Sequence, residues 1–527
     1  MPRDDALNGG VPNGASPAST GAPDVPTDSP AAPPARPRSG ARRAGLFVLA
    51  FGSGFAVLTI EIAGARLIAP VFGLSAVPWT AVIGVILSAL ALGSHLGGRL
   101  ADTGRVPLAA VLAAAGFSAA IPVVGGGLPW LARDLFGFIP GAVASAVVLF
   151  APPVLCLGAV VPYLVRADTE SLATIGRRAG DVSAAATAGS IAGTFATGFI
   201  LLPAFRLPVL LGLTGVALLA MAAVSGRILG GGAPGRHLAL GAVGLGALGL
   251  TASRLPPGTL HAEQTLYASV RVTERTWPDG RIVREMWQNG GSSSAEYVDD
   301  GAPAHAYAVA SLALLDSKLD DAESMLVLGG AALSLPVAFQ RRRPELRVDV
   351  VEIDPVVTSL ATRYFAYGAG RHPGVRVLHE DGRVFLRSSD ALYDIVYLDV
   401  FDNLLTVPWT MVTVEALGAM RARLRPDGLF VANVLSPLSG PGIGFVQRFG
   451  ATLLEVFEEV GVYVADSSIP PHVTQNLIVI GGRSGTAASH AERALARLEP
   501  SGPALTDAWA PVEYLQAKVL VDGLGWN

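Results

Sequence analysis

The chain has 527 residues, of which 51% are hydrophobic and only 15% are charged, and its mean hydropathy is +0.48. Soluble proteins carry roughly 25% charged residues, so this composition excludes an ordinary soluble protein, and the length predicts at least two domains. The net charge of -4 gives no basic surface for nucleic acid, and the single cysteine, Cys156, cannot build a disulfide or a cysteine zinc site within one chain.

Residues 1–43 are rich in proline, alanine, glycine and serine and contain almost no large apolar side chains. Such a segment cannot bury enough apolar surface to offset the entropy of ordering, so we predict a disordered tail. The first apolar stretch begins near Ala44 and continues beyond the length of a signal-peptide core. That length argues against a cleaved signal peptide.

Apolar stretches of about 20 residues recur between 44 and 256, as helices that cross a bilayer require. We predict a transmembrane helical domain of about seven spans, with six to eight as the range, in the plasma membrane. The lipid bilayer is therefore a predicted partner. The spans are 45–68, 76–97, 107–131, 139–165, 184–204, 207–226 and 237–255, of which the last is short and rich in glycine.

Arginines lie on one side of the predicted bundle, before the first span and after the second, fourth and sixth. Cytoplasmic loops are enriched in Lys and Arg, so this bias predicts a cytoplasmic N-terminus. Seven spans would place the C-terminal half outside the cell, whereas six or eight would place it in the cytoplasm, where we expect it. The arginines are Arg42, Arg43, Arg99, Arg105, Arg166, Arg177, Arg178, Arg227 and Arg236.

The first span contains two ionisable residues, Glu61 and Arg66. Placing a charged side chain within the bilayer costs free energy, so such residues need an explanation. One interpretation is a site for transport or ligand binding. The other is a structural ion pair between the two side chains near the membrane interface.

The segment 257–300 predicts a β-hairpin, because apolar and polar residues alternate over 266–274 and 282–287 on either side of Pro278-Asp279-Gly280. From 301 to 527, short apolar strands alternate with helices. That order predicts an α/β Rossmann-like domain of the methyltransferase type, with a doubly wound parallel sheet and a late antiparallel strand pair at one edge.

Glycines and acids follow the first four predicted strands of this domain, at the edge where open α/β sheets bind ligands. Glycines there let a ligand approach a helix N-terminus, and an acid after the second strand can accept hydrogen bonds from both ribose hydroxyls. The pattern favours a ligand that contains adenosine. The residues are Gly329 and Gly330 after the first strand, Glu352 and Asp354 after the second, Asp381 and Gly382 after the third, and Asp399 and Asp402 after the fourth.

Four motifs lie at the ends of the predicted strands, namely VLGG at 327–330, VEIDP at 351–355, EDGRVFL at 380–386 and YDIVYLDVFD at 393–402. Two further motifs are GDVSAAATAGSIAGTFATGFILLP at 180–203 and LTDAWAPVEYL at 505–515. By the first four motifs the C-terminal half resembles the spermidine synthase (polyamine aminopropyltransferase) family, and by the other two the whole arrangement resembles the membrane-fused, transporter-like branch of that family.

The resemblance implies transfer of an aminopropyl group from decarboxylated S-adenosylmethionine to a small polyamine such as putrescine, with no tightly bound cofactor and no metal. It also implies a homodimer. By this similarity Asp399 is the proton acceptor, Asp402 binds the amine, Glu352 holds the ribose and Asp381 the adenine. The expected donor-binding residues are Gly329, Gly330, Glu352, Asp354, Asp381 and Gly382.

The glycine loop departs from the family pattern, because 331–333 (Ala-Ala-Leu) replaces a segment that normally contains an acid in contact with the donor's amine. Asn403 likewise stands where the family has proline. Two alternatives stay open, the first of which is motivated by these departures. One is a sensor of polyamine or nucleoside, or a polyamine transporter, without turnover; the other is an S-adenosylmethionine-dependent methyltransferase.

Overall fold

The computed structural model describes residues 40–73, 76–169, 172–229, 235–252, 255, 257–368, 372–402, 406–483 and 499–516. Most of the predicted disordered tail, residues 1–39, lies outside these ranges, as does Asn403. Residues 40–43, which we assigned to the tail, instead form the first turn of a helix, where Arg43 pairs with acidic side chains of the bundle. The described residues from Ala41 onward belong to one unit.

Helices make up the described part of the N-terminal half. They are α1 (Gly40–Phe72), α2 (Ala76–Thr103), α3 (Leu108–Ser118), α4 (Ala120–Val124), α5 (Leu128–Phe136), α6 (Phe138–Gly158), α7 (Val160–Asp168), α8 (Ile175–Ala196), α9 (Leu202–Ala204), α10 (Leu207–Leu229) and α11 (Gly235–Ala252).

Six helical segments among the described residues are long and apolar enough to cross a membrane, and they coincide with the first six predicted spans. The seventh predicted span falls on α11, whose apolar part, Leu238–Ala252, is shorter. The six segments are Gly40–Phe72, Pro78–Thr103, Leu108–Phe136, Phe138–Asp168, Ile175–Ala204 and Leu207–Leu229.

Small residues let α1 and α8 approach each other closely. A Cβ atom on Gly189 would lie 1.9 Å from the carbonyl oxygen of Phe51, and one on Gly54 would lie 2.0 Å from that of Ala186. Only glycine fits at these two positions, which is typical of packing between spanning helices.

Glu61 and Arg66 form no ion pair in the described structure, so the pairing interpretation is wrong. The two residues are five positions apart and point to different faces of α1, whereas side chains three or four positions apart share a face. The Arg66 guanidinium instead donates a hydrogen bond from Nη2 to the carbonyl oxygen of Leu266, at 2.9 Å. The end of α1 is thereby joined to the C-terminal half.

One end of the bundle carries ion pairs between helix termini. Arg43 Nη2 lies 2.8 Å from Asp181 Oδ2, and Arg178 Nη1 lies 3.3 Å from Asp168 Oδ2. Because these residues belong to the starts of α1 and α8 and to the end of α7, all three termini meet here. Two of the arginines predicted to share one side, Arg43 and Arg178, thus lie at the same end of the bundle.

α11 runs antiparallel to α10 and carries the chain to the opposite end. A Cβ atom on Gly249, near the end of α11, would lie 2.9 Å from the carbonyl oxygen of Pro208, at the start of α10. A Cβ atom on Gly241 would lie 3.3 Å from Leu219, which is halfway along α10. The chain therefore leaves the bundle at the end away from the ion pairs.

A four-stranded antiparallel sheet follows, in the order β1-β2-β3-β4. The predicted hairpin corresponds to β2 and β3, and Val272 lies opposite Met286 in their register. The sequence did not predict the two flanking strands as partners of this hairpin. The strands are β1 (Thr259–Gln264), β2 (Ser269–Thr276), β3 (Ile282–Gln288) and β4 (Gly291–Tyr297).

The last part of the chain is an α/β domain with a seven-stranded sheet in the order β10-β11-β9-β8-β5-β6-β7. Its elements are α12 (Ala306–Asp321), β5 (Ser324–Leu328), α13 (Ser334–Arg342), β6 (Arg347–Val351), α14 (Pro355–Tyr364), β7 (Val375–Leu378), α15 (Gly382–Ser388), β8 (Tyr393–Leu398), α16 (Val414–Ala422), β9 (Leu424–Ser436), α17 (Gly444–Leu454), β10 (Glu459–Val464) and β11 (Gln475–Gly482).

β5 to β9 pair in parallel, and β11 pairs antiparallel to both β9 and β10. The predicted doubly wound sheet with an antiparallel edge is confirmed. Both faces of the sheet are buried, since Ile395 and Tyr397 of β8 pack on one side and Val396 and Leu398 pack on the other. The strand order reverses between β5 and β8, which is where such sheets bind ligands.

Candidate active site

A cavity of about 850 Å³ opens at the carboxyl ends of the parallel strands, beside the point where the strand order reverses. It is large enough for a nucleoside together with a small amine. The eight residues predicted from the sequence all line it, namely Gly329, Gly330, Glu352, Asp354, Asp381, Gly382, Asp399 and Asp402.

Asp399 follows β8 and is fixed by hydrogen bonds on both its backbone and its side chain. Its N–H donates to the carbonyl oxygen of Leu328 at 2.9 Å. Its Oδ1 accepts from Asn433 Nδ2 at 2.9 Å, and its Oδ2 accepts from the hydroxyl of Tyr307 at 3.1 Å. Burial raises the pKa of Asp399 to about 6, although both side-chain hydrogen bonds act to lower it.

Asn433 and Asn476 support Asp399, and the sequence analysis did not identify either residue. Asn476 Nδ2 donates to Asn433 Oδ1 at 2.9 Å, so a chain of amides runs from β11 through β9 to the carboxylate. An amide side chain within a buried strand is unfavourable unless it forms hydrogen bonds. An asparagine inside an otherwise apolar strand is therefore the sequence signal that could have identified Asn433 and Asn476.

The glycine loop after β5 passes directly over the backbone of Asp399. Gly329 has φ +93°, and a Cβ atom there would lie 2.2 Å from the Asp399 carbonyl oxygen. Ala331 and Leu333 also adopt positive φ, at 42° and 61°, which residues with a side chain rarely do. The loop therefore holds a strained conformation next to the cavity.

The buried carboxylate of Glu352 organises this loop. Its Oε2 accepts hydrogen bonds from the N–H groups of Gly330 and Ala331, at 2.9 and 3.2 Å, and its Oε1 accepts from the N–H of Asp354 at 3.0 Å. Burial raises the pKa of Glu352, and the three amides oppose that rise. A ribose hydroxyl would have to share these oxygens with the backbone.

Asp354 and Asp381 cap the helices that follow their strands. Asp354 Oδ1 accepts from the N–H of Val356 at 3.0 Å, while its Oδ2 is buried and has no hydrogen-bond partner in the described structure. Asp381 Oδ1 accepts from the N–H groups of Arg383 and Val384, at 2.8 and 3.0 Å. Capping explains why acids occur here, and a role in binding the donor stays a prediction for both.

The loop that contains Asp402 is tied to the turn between β3 and β4. Asn289 Nδ2 donates to the carbonyl oxygen of Asp402 at 2.8 Å. Next to it, Gly290 has φ +86°, and a Cβ atom there would lie 1.9 Å from the carbonyl oxygen of Pro70 in α1. This turn therefore contacts the helical bundle on one side and the loop of Asp402 on the other.

The carboxyl groups of Asp402 and Glu513 interact electrostatically. The protein around the Asp402 carboxyl group excludes water and raises its pKa to about 6, and the negative charge of Glu513 raises it further. Glu513 lies in the 505–515 motif but was not predicted as a site residue. Paired carboxyl groups at this position suit a cationic amine.

The cavity is strongly acidic. Its lining carries seven carboxyl groups, against the single arginine Arg133. Arg133 comes from α5 in the helical bundle and donates from Nη1 to the carbonyl oxygen of Val71 at 3.1 Å. The sequence analysis missed this residue, because only the packing of the two halves brings it to the cavity.

Part of the chain is similar to known proteins. Residues 306–482 match the model of the spermine/spermidine synthase domain, so the chain contains such a domain and the predicted resemblance is confirmed. A probable polyamine aminopropyl transferase of Bifidobacterium longum is 29% identical over 147 residues, which cover 28% of this chain and 32% of that protein.

A polyamine aminopropyltransferase of Vibrio vulnificus is 34% identical over 117 residues, covering 22% of this chain and 38% of that protein. The chain thus spans about a third of the length of these two relatives. Among solved structures, a probable spermidine synthase from Corynebacterium glutamicum is 24% identical with a TM-score of 0.38, covering 47% of this chain and 90% of that one.

Proposed function

We propose that the protein is a membrane-anchored aminopropyltransferase. It transfers the aminopropyl group of decarboxylated S-adenosylmethionine to a small polyamine such as putrescine and releases methylthioadenosine. The observation that carries the proposal is Asp399, a carboxyl group with a pKa of about 6 that Tyr307 and Asn433 hold at the end of β8. A base with this pKa is ionised at neutral pH and can still accept a proton.

The chemistry follows from the residue types. An alkylammonium group becomes a nucleophile only after it loses a proton, which Asp399 would accept. The amine nitrogen attacks the methylene group beside the sulfonium, the carbon–sulfur bond breaks, and its electrons return to sulfur in neutral methylthioadenosine. Asp402 and Glu513 would bind the second ammonium group and so orient the first one.

The donor is proposed to lie along the glycine loop, with its ribose against Glu352 and its adenine near Asp381. Asp354 would contribute Oδ2, the buried oxygen that has no partner in the described residues. A hydroxyl group that donates to this oxygen would satisfy it. Gly329 and Gly330 would leave room for the approach, and Gly382 lines the same cavity.

The test is the release of methylthioadenosine by detergent-purified full-length protein. Release that requires both decarboxylated S-adenosylmethionine and putrescine supports the proposal. If calorimetry detects binding of the donor but no methylthioadenosine is released, the result would favour the sensor or transporter. The altered glycine loop motivates that alternative. Transfer of a labelled methyl group from S-adenosylmethionine would favour the methyltransferase.

The pH dependence of kcat/KM should report the ionisation of Asp399. Activity is expected to rise between about pH 5 and pH 7, as the carboxyl group loses its proton. Tyr307→Phe removes a hydrogen bond that lowers the Asp399 pKa, so the rise should move to higher pH. Tyr463→Phe is the control, because this buried hydroxyl has no partner in the described structure, and it should leave the profile unchanged.

We further propose that the α/β domain lies outside the cytoplasm, which differs from our expectation from the sequence. The domain follows α11, which ends away from the ion pairs of Arg43 and Arg178. If the arginine-rich end faces the cytoplasm, the other end faces outward. An alkaline phosphatase fused at Asn527 should therefore be active, and a fluorescent protein fused there should not fluoresce. The reverse result would show that the domain lies in the cytoplasm.

A further inference from the structure

A second cleft, of about 390 Å³, lies where the helical bundle meets the four-stranded sheet. We call it the junction cleft. Its bundle wall includes Arg66 at the end of α1, Trp130 of α5 and Arg206 before α10, and its sheet wall includes Arg271 of β2 and Trp287 of β3. The catalytic mechanism proposed above uses none of these residues.

The charge of the junction cleft is opposite to that of the catalytic cavity. Its described lining contains three arginines, Arg66, Arg206 and Arg271, and one acid, Glu263. Glu263 is engaged by His261, whose Nε2 lies 3.0 Å from Oε2. An excess of guanidinium groups over acids predicts an anionic ligand.

Two of these arginines keep donors available. Arg66 uses Nη2 for the carbonyl oxygen of Leu266, while its Nη1 is shielded from solvent and has no hydrogen-bond partner in the described structure. Arg271 stacks over the ring of Trp287 at 5.2 Å and makes no hydrogen bond with a described residue. A phosphate group can accept several hydrogen bonds from planar guanidinium groups, so it matches this arrangement.

The position of the junction cleft indicates where the phosphate comes from. The bundle wall consists of helix ends on the side where the chain leaves the bundle, so it lies at the depth of lipid headgroups. Trp130 is 48% exposed there, and tryptophan is enriched at that depth. Leu67, Leu207 and Pro208 give the cleft an apolar rim that suits the glycerol and first acyl carbons of a lipid.

We propose that the junction cleft binds the phosphate group of an anionic membrane phospholipid. Arg66 and Arg271 would donate to the phosphate oxygens from opposite walls, and Arg206 would add positive charge. Trp287 also lines the catalytic cavity, so the lipid would lie one side chain away from the proposed active site. The binding itself does not depend on the proposed catalytic function.

The experiment measures lipid binding by native mass spectrometry of the full-length protein in detergent. Dioctanoyl phosphatidylglycerol should bind at least about tenfold more tightly than dioctanoyl phosphatidylcholine, and the double variant Arg66→Gln/Arg271→Gln should lose about tenfold or more of that affinity. Arg281→Gln is the matched control, because Arg281 lies just before β3, pairs with Asp299 and Asp300, and does not line the cleft. It should bind like the wild type.

Two results would overturn the proposal. One is equal affinity of the wild-type protein for the two lipids, a comparison that needs no variant and so does not depend on whether the double variant folds. The other is competition by inorganic phosphate at the concentration of the lipid, with the same dependence on Arg66 and Arg271, which would make a free phosphate the ligand.

Discussion

Asp399→Asn is expected to lower kcat/KM for aminopropyl transfer by about 10²- to 10⁴-fold, the range for loss of a general base. Asparagine has the same shape as aspartate, and its Oδ1 can still accept from Asn433. It cannot take a proton from the amine at neutral pH. Release of methylthioadenosine under single-turnover conditions measures the effect, and calorimetry of donor binding should show little change.

Unfolding does not explain such a loss, because the stability effect has the opposite sign. The pKa of Asp399 is raised in the folded state, so this group favours folding at low pH and loses that contribution as pH rises through about 6. At pH 7 the asparagine variant should melt at or above the wild-type temperature. Asp316→Asn, at an exposed ion pair with Arg342, is the activity control. Wild-type turnover by Asp399→Asn would remove Asp399 from the mechanism.

Gly329→Ala should reduce both stability and activity. The added Cβ would lie 2.2 Å from the carbonyl oxygen of Asp399, and alanine would also have to adopt φ +93°. Overpacking together with an unfavourable backbone conformation predicts a loss of about 3 kcal/mol in the free energy of unfolding. Because the clash is with Asp399 itself, activity should fall even in molecules that remain folded.

Gly418→Ala is a matched control for that experiment. Gly418 lies within α16, and a Cβ atom there would meet nothing within 4 Å. Alanine in an exposed helix should raise stability by about 0.5–1 kcal/mol. Denaturant unfolding of both variants checks the contrast. A wild-type unfolding curve for Gly329→Ala would show that the loop does not pass over Asp399 as described.

The parallel strands could be predicted because each is a short apolar run bounded by turn residues. From Ile395 to Leu398 the side chains of β8 alternate between the two buried faces, so no polar position interrupts this run until Asp399. The end of the run therefore locates the acid as well as the strand. For the same reason, the glycine loop and the acids after β6 and β7 could be placed at one edge.

β4 could not be predicted, since its sequence Gly-Ser-Ser-Ser-Ala-Glu-Tyr has little β propensity and no clear alternation. Distant contacts stabilise it instead. Glu296 of β4 accepts from the hydroxyl of Ser334 at 3.1 Å and from the N–H of Ala366 at 2.7 Å. Arg133 was not predicted for a related reason. An arginine near the end of a spanning helix is typical of the membrane–water interface, so its sequence context does not indicate a residue of the cavity.

The turn at Asn289 and Gly290 bears on how the protein can be produced for study. Gly290 packs against Pro70, and Asn289 holds the loop of Asp402. A soluble fragment that begins at residue 257 would lose the support of α1 beneath this turn, together with Arg133 from the wall of the cavity. Weak or absent turnover by such a truncated fragment would therefore reflect the truncation, so tests of the proposed activity require the intact chain.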